Sequence, residues 1–163
     1  SDLKSQVDAV SLVHEKLHGS DVITEINLQE YLADLLESVI SGFTASPVNL
    51  ELDFEKLRLP TKTTVTIGLL TNEIATNAIK YGFLKDGENK ISCSLKRSSD
   101  GRRCTLTFSN TGKPIPEEID LEHPSTLGMR LISALTRQIE GEITLQKAPH
   151  PTYTITFPID PQT

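Results

Sequence analysis

Apolar residues along the chain recur with two different periods, and the switches between them lay out the elements. Leu3, Val7, Val10 and Leu17 fall at helical spacing with charged and amide residues between them, and Gly19 closes this amphipathic helix. So short a helix cannot cover its own stripe, which predicts packing in a helical bundle or dimer. Residues 20–28 read as a connector, and residues 28–43 (LQEYLADLLESVISGF) as a second amphipathic helix. VNLELDFE alternates apolar and polar residues and predicts a strand; Leu57 and Leu59 predict a further short strand stopped by Pro60. A long helix follows from Thr61 to Phe83. KISCSLKR and RCTLTFSN are two strands joined by a turn containing Asp100-Gly101. The polar, proline-rich TGKPIPEEIDLEHPS leads to a helix, LGMRLISALTRQIEG, closed by Gly141, and EITLQKA with TYTITFPI forms a final hairpin. Paired strands with helices between them predict an α+β fold, a two-layer α/β sandwich with a mixed, mainly antiparallel sheet.

Composition narrows the function classes. The 163 residues are 37% hydrophobic and 23% charged, enough apolar material for a core and too much for a disordered chain. A formal net charge of -6 argues against a nucleic-acid or anionic-membrane binder. It leaves a phosphate site open, because helix dipoles and a few cations act locally. Cys93 and Cys104, with no CxxC, read as free thiols in a reducing cytoplasm, with a cross-hairpin disulfide as the alternative. No apolar run reaches the roughly 18–20 residues that span a bilayer, and no signal peptide is visible. A start at Ser1 inside a helix is what a piece of a longer protein would show, with any sensor region upstream. His14, Glu15 and His18 match HExxH, but Lys16 would set a cation beside the metal, and we read the segment as a solvated polar face.

The chemistry concentrates in GLLTNEIATNAIKYGF, residues 68–83. At 100° per residue, Ile67, Leu70, Ile74 and Ala78 form the core stripe, and Glu73, Asn77 and Lys80 a polar stripe roughly 90° round from it. A carboxylate, an amide and an ammonium beside a buried face suit a magnesium–phosphate site, although a surface helix with i,i+4 pairs also fits this segment alone. Ser109-Asn110-Thr111-Gly112 ends a strand, where an amide can read a purine edge and glycine lets the backbone approach. Ser125-Thr126-Leu127-Gly128 opens a helix whose free N–H groups favour phosphate, or is simply its N-cap. The order of these pieces says more than any one of them.

In that order the chain resembles the Bergerat-fold (GHKL) ATPases. NEIATNAIKYGF resembles the N box, SNTGKPIP the first glycine box and STLGMRLISAL the second. SLVHEKLH resembles the second dimerisation helix of the HWE-like (second HisKA) subclass of sensor histidine kinases, and TYTITFPI the closing strand. The resemblance implies ATP and Mg2+ as cofactors. Asn77 would bind the metal with Glu73 beside it, as the catalytic and metal-binding pair; Lys80 would contact phosphate and Tyr81 would pack near the nucleotide. Asn110 would read the adenine amino group with Gly112 allowing its approach. Thr126, Leu127 and Gly128 would lie at the phosphates, with residues 113–125 as a lid.

The same resemblance divides the chain into a dimerisation-helix remnant and connector (1–22) and a catalytic domain (23–163). The implied function is transfer of the ATP γ-phosphate to a histidine upstream of Ser1, since His14 and His18 do not match the acceptor position, and thence to a response regulator. The implied setting is cytoplasmic, within a soluble or membrane-anchored parent protein that is a homodimer when intact; this chain would partner its own phosphoacceptor domain and touch neither nucleic acid nor membrane. Two departures stand out: Asn110 replaces the family's Asp and accepts a hydrogen bond without a full charge, and Pro114 replaces the second glycine of the first box and stiffens the lid. An anti-sigma-factor-type serine kinase, or a degenerate nucleotide-binding regulatory module, remains the competing reading.

Overall fold

A computed structural model describes residues 27–44, 46–85 and 87–160. The elements are α1 (Leu28–Phe43), β1 (Val48–Phe54), α2 (Thr61–Asn77) continuing into a π-helical turn (Ala78–Gly82), β2 (Asn89–Arg97), β3 (Arg103–Asn110), α3 (Leu127–Gln138), β4 (Glu142–Gln146) and β5 (Thr152–Pro158). Five strands form one sheet in the order β1-β2-β3-β5-β4. Only β1 and β2 run parallel; the other three pairings are antiparallel. A parallel pair cannot be joined by a tight turn, and α2 is the crossover that joins this one.

Period-two alternation sorts the sheet into faces. Ile91, Cys93 and Leu95, Cys104, Leu106 and Phe108, and Tyr153, Ile155 and Phe157 are buried on the inner face. The helices cover them with Ile67, Leu70 and Ile74 of α2, Leu32, Leu35 and Leu36 of α1, and Ile132 of α3. The outer face carries serines, threonines and exposed ion pairs such as Lys90–Glu51 at 2.9 Å and Lys96–Asp53 at 2.7 Å, which contribute little to stability. The expected two-layer α+β sandwich is therefore present.

Three expectations change. Leu57 and Leu59 are buried but belong to no strand: Glu55 N–H donates to Leu95 O at 3.0 Å, and residues 55–60 then leave the sheet. Alternation there reports which residues face inward, not a ladder. The helix from Thr61 is α-helical only to Asn77, and Phe83 N–H then bonds Ala78 O at 2.9 Å, closing the wider π turn. The last helix ends at Gln138, where Glu140 takes the left-handed conformation (φ 56°). The N–H groups of Glu140 and Gly141 bond Arg137 O and Thr136 O at 3.0 and 2.9 Å, so the left-handed residue precedes the glycine.

Cys93 lies opposite Phe108, and Cys104 opposite Arg97 and Phe157, so the two thiols sit on different rungs and both are free. Burial pushes each of them up to about 12. The helix predicted around Leu3–Leu17, with His14 and His18, lies outside the described residues.

Candidate functional site

Three chain segments meet at one edge of the helical layer. The first is the C-terminal half of α2. Glu73 is buried there at 1% exposure, and Asn77 is half-buried at the last α-helical position. The second is the start of α3. Thr126 is its N-cap, with Oγ1 accepting from Met129 N at 3.2 Å and its carbonyl accepting from Arg130 N at 3.0 Å. The N–H groups of Leu127 and Gly128 therefore head the helix with no intrahelical acceptor, at the positive end of its dipole.

Gly128 joins these two segments. A Cβ built there would lie 3.2 Å from Asn77 Oδ1, 3.4 Å from Asn77 Nδ2 and 3.5 Å from Glu73 Oε2. Glycine at this position lets the α3 start close onto the two polar side chains of α2. A residue from the second glycine box and two from the N box are thus in contact range.

The third segment is the end of β3. Asn110 is buried; its Nδ2 donates to Thr111 O at 2.9 Å, while its Oδ1 is buried without a hydrogen-bond partner. That bond fixes which way the amide points. A buried acceptor left open costs about 1–3 kcal/mol, which a ligand donor would recover. Gly112 follows at φ 120°, and a Cβ there would collide with Gly82 O. Lys113 N–H donates to that same Gly82 carbonyl at 2.8 Å, so the chain after Asn110 is latched to the end of the π turn.

Not every expected residue gathers at this point. Lys80 is exposed, with its Nζ 5.5 Å from the centre of the Phe43 ring on α1. The π turn inserts an extra residue, so the polar stripe drawn at 100° per residue does not continue straight from Asn77 to Lys80. Tyr81 and Leu127 are large exposed side chains, 72% and 66% accessible, next to the cleft elements. The expected lid is a strap tied at both ends. Ile115 N–H bonds Lys147 O at 3.0 Å, Lys147 Nζ donates to Glu117 O at 2.9 Å, and Ser133 Oγ donates to Leu121 O at 3.1 Å.

Sequence reasoning missed two contributors. Gly82, which falls inside the helix predicted from Thr61 to Phe83, makes room for Asn110: a Cβ there would lie 2.9 Å from Asn110 Nδ2. Tyr153, read only as part of the closing strand, is 2% exposed on the inward face of β5. Burial pushes its phenol up to about 12, with the Asn77 side chain pulling the other way. The signal for it was present, since a hydroxyl shares the inward face with Ile155 and Phe157.

These features suit a nucleotide: an open acceptor for a base amine, a carboxylate and amide pair for a metal, and a helix start for phosphate. Residues 62–161 match the family described as histidine kinase-, DNA gyrase B-, and HSP90-like ATPase, and the chain belongs to that family. Residues 1–43 match a second family, described as histidine kinase, which makes the ATP-binding domain one of the HWE-like histidine kinase type. Family membership implies ATP as the nucleotide.

Among curated proteins, the chain is similar to blue-light-activated histidine kinase 2 of Erythrobacter litoralis, 27% identical over 151 residues and 89% of this chain. It is also similar to blue-light-activated histidine kinase 1 of the same organism, 31% identical over 88 residues and 54% of this chain. The chain spans 43% of the first relative and 24% of the second.

Among solved structures, the histidine kinase domain of the Erythrobacter litoralis EL346 blue-light activated histidine kinase superposes with a TM-score of 0.85 at 21% identity, over 97% of this chain and 75% of that one. The Acinetobacter baumannii histidine kinase AdeS gives 0.64 at 18% identity, over 95% and 76%. At these identities the superpositions speak for the fold. No helix among the described residues is long and apolar enough to cross a membrane.

Proposed function

We propose that this chain binds Mg-ATP in the cleft between α2, the end of β3 and the start of α3, and transfers the γ-phosphate to a histidine of a phosphoacceptor domain outside this chain, from which it passes to a response-regulator aspartate. The observation that carries the reading is the approach of Gly128 to Asn77 and Glu73, 3.2 and 3.5 Å from its Cβ position, which joins the N box to the helix start that would hold phosphate. In this reading residues 1–22 belong to a dimerisation helix and its connector, 23–163 form the catalytic domain, and the intact protein is a cytoplasmic homodimer.

Each group has a task set by its surroundings. Asn110 Oδ1, open and oriented by the Nδ2 bond, accepts from the exocyclic amine of adenine. Gly112 keeps the backbone low beside the base, and Tyr81 packs against the nucleotide. Asn77 offers an amide oxygen to the metal, and Glu73 serves as second ligand or base. Thr126, Leu127 and Gly128 turn the α3 start toward the phosphates, and Lys80 leaves the Phe43 ring to meet them. Bound Mg2+ supplies charge neutralisation on the transferring phosphoryl group.

The test is to mix the chain with a separately produced phosphoacceptor domain of its own kinase and γ-labelled ATP. We expect acid-labile, base-stable label on the acceptor. Acid-stable phosphoserine would instead support the partner-switching serine kinase. Nucleotide binding without any transfer would favour a regulatory module.

A further inference from the structure

The loop between β4 and β5, residues 147–151, runs alongside the strap that leaves the end of β3. The last rung of the β3–β5 ladder sets Ser109 opposite Thr152. Beyond it the two segments stay together, still antiparallel. Asn110 N–H donates to Pro151 O at 3.3 Å, and His150 Nδ1 stands 3.4 Å from Gly112 O. Ile115 N–H then donates to Lys147 O at 3.0 Å, and Lys147 Nζ donates to Glu117 O at 2.9 Å.

Lys147 makes the outermost two of these contacts, one through its carbonyl and one through its ammonium. It is half-buried, and its acceptor is the backbone carbonyl of Glu117 rather than the carboxylate. Such a bond fixes the path of the chain and does not merely balance charge. Ile115 and Ile119, on either side of Glu117, pack against the core, so the strap is seated as well as tied.

The strap joins the two ends of the cleft. Residues 113–125 begin directly after Gly112, beside Asn110, and end directly before Thr126, the N-cap of α3. A loop that is loose in the free protein must be ordered when a ligand fills the cleft, and that cost weakens binding. A loop already held does not incur it. Lys147 holds the half of the strap next to Asn110, where Pro114 also restricts the backbone.

We propose that Lys147 is a positioning residue for the lid: by tying Ile115 and Glu117 to the β4–β5 loop, it keeps the lid ordered beside the cleft and so slows the escape of bound nucleotide. The inference rests on the Mg-ATP reading given above. It gives the β4–β5 loop, which supplies none of the nucleotide-binding residues named so far, a part in nucleotide retention.

Lys147→Met removes the ammonium and keeps the reach of the side chain; Lys147→Arg keeps a charged donor. Dissociation of Mg-bound mant-ADP, a fluorescent ADP, is followed by stopped flow after a chase with unlabelled ADP, and association is followed in the same instrument. We expect Lys147→Met to speed dissociation about 3- to 10-fold, the worth of one net hydrogen bond, with association near the wild-type rate. Lys147→Arg should dissociate like wild type, and the Tm of both variants should stay near that of wild type. In hydrogen exchange without nucleotide, the Ile115 amide should exchange faster in Lys147→Met, while amides of β2 and β3 keep their wild-type rates.

Unchanged dissociation in Lys147→Met, or faster dissociation with unchanged Ile115 exchange, would overturn the assignment. Equal rises in both rate constants would make the strap a gate rather than a retainer and would overturn it too. A fall in Tm with faster exchange across the sheet would reduce Lys147 to a structural part. Wild type that binds no mant-ADP would sink the Mg-ATP reading and this role with it; Ile115 exchange, read without nucleotide, shows separately whether the clasp holds.

Discussion

At the end proposed for the base, Asn110 is set by strand backbone; at the end proposed for the phosphates, Asn77 and Glu73 are set by the meeting of two helices. Asn110 stands at the last residue of β3, its amide turned by Thr111 O at 2.9 Å, with Gly82 and Gly112 packed against each other beside it. Asn77 stands where α2 gives way to a π turn, and Gly128 of α3 approaches its side chain. A strand end fixes direction through ladder bonds that many residues share. A helix junction fixes it through a few side-chain contacts. The base end should therefore behave as a preformed slot, and the phosphate end as a site whose response depends on the metal.

Substitutions can break or sharpen that contrast. The largest effect is expected for Gly112→Ala, which forces an L side chain to φ 120° and drives its Cβ into Gly82 O. Loss of more than about 2 kcal/mol of stability, or a displaced β3 end with nucleotide binding abolished, should show in thermal melts and calorimetry. Wild-type binding and Tm would mean that the latch between Gly82 and Gly112 is dispensable. A smaller effect is expected for Asn110→Ala, which removes the open acceptor. ADP affinity should fall roughly 5- to 10-fold, about one hydrogen bond, and by the same factor with and without Mg2+. A loss confined to the metal-bound state would erase the distinction between the two ends.

Much of this was legible in the chain because its causes are local. Period-two patterning placed Ile91, Cys93 and Leu95 on one face, and all three are buried. Asn110 and Gly112 adjoin at a predicted strand end, and the structure sets them at the end of β3 beside Gly82. What was not legible depends on geometry between segments. Leu57 and Leu59 alternate like strand residues, but nothing in their spacing says that no strand pairs with them. Lys80 appeared to share a stripe with Glu73 and Asn77, and a π turn that no residue type announces carries it toward Phe43. The role of Gly82 was hidden because Asn110 lies 28 positions away in sequence, and only the fold brings the two together.

The central claim is that Asn77 holds the metal of a bound Mg-ATP. Calorimetry of the wild-type chain and Asn77→Ala with a non-hydrolysable ATP analogue, in Mg2+ and then in EDTA, tests it most directly. The account predicts a wild-type affinity that Mg2+ strengthens, and an Asn77→Ala protein that keeps the weaker metal-free affinity but gains less than a tenth of that strengthening. An Asn77→Ala protein with the full Mg2+ enhancement, or a wild-type chain with no nucleotide binding at all, would contradict it.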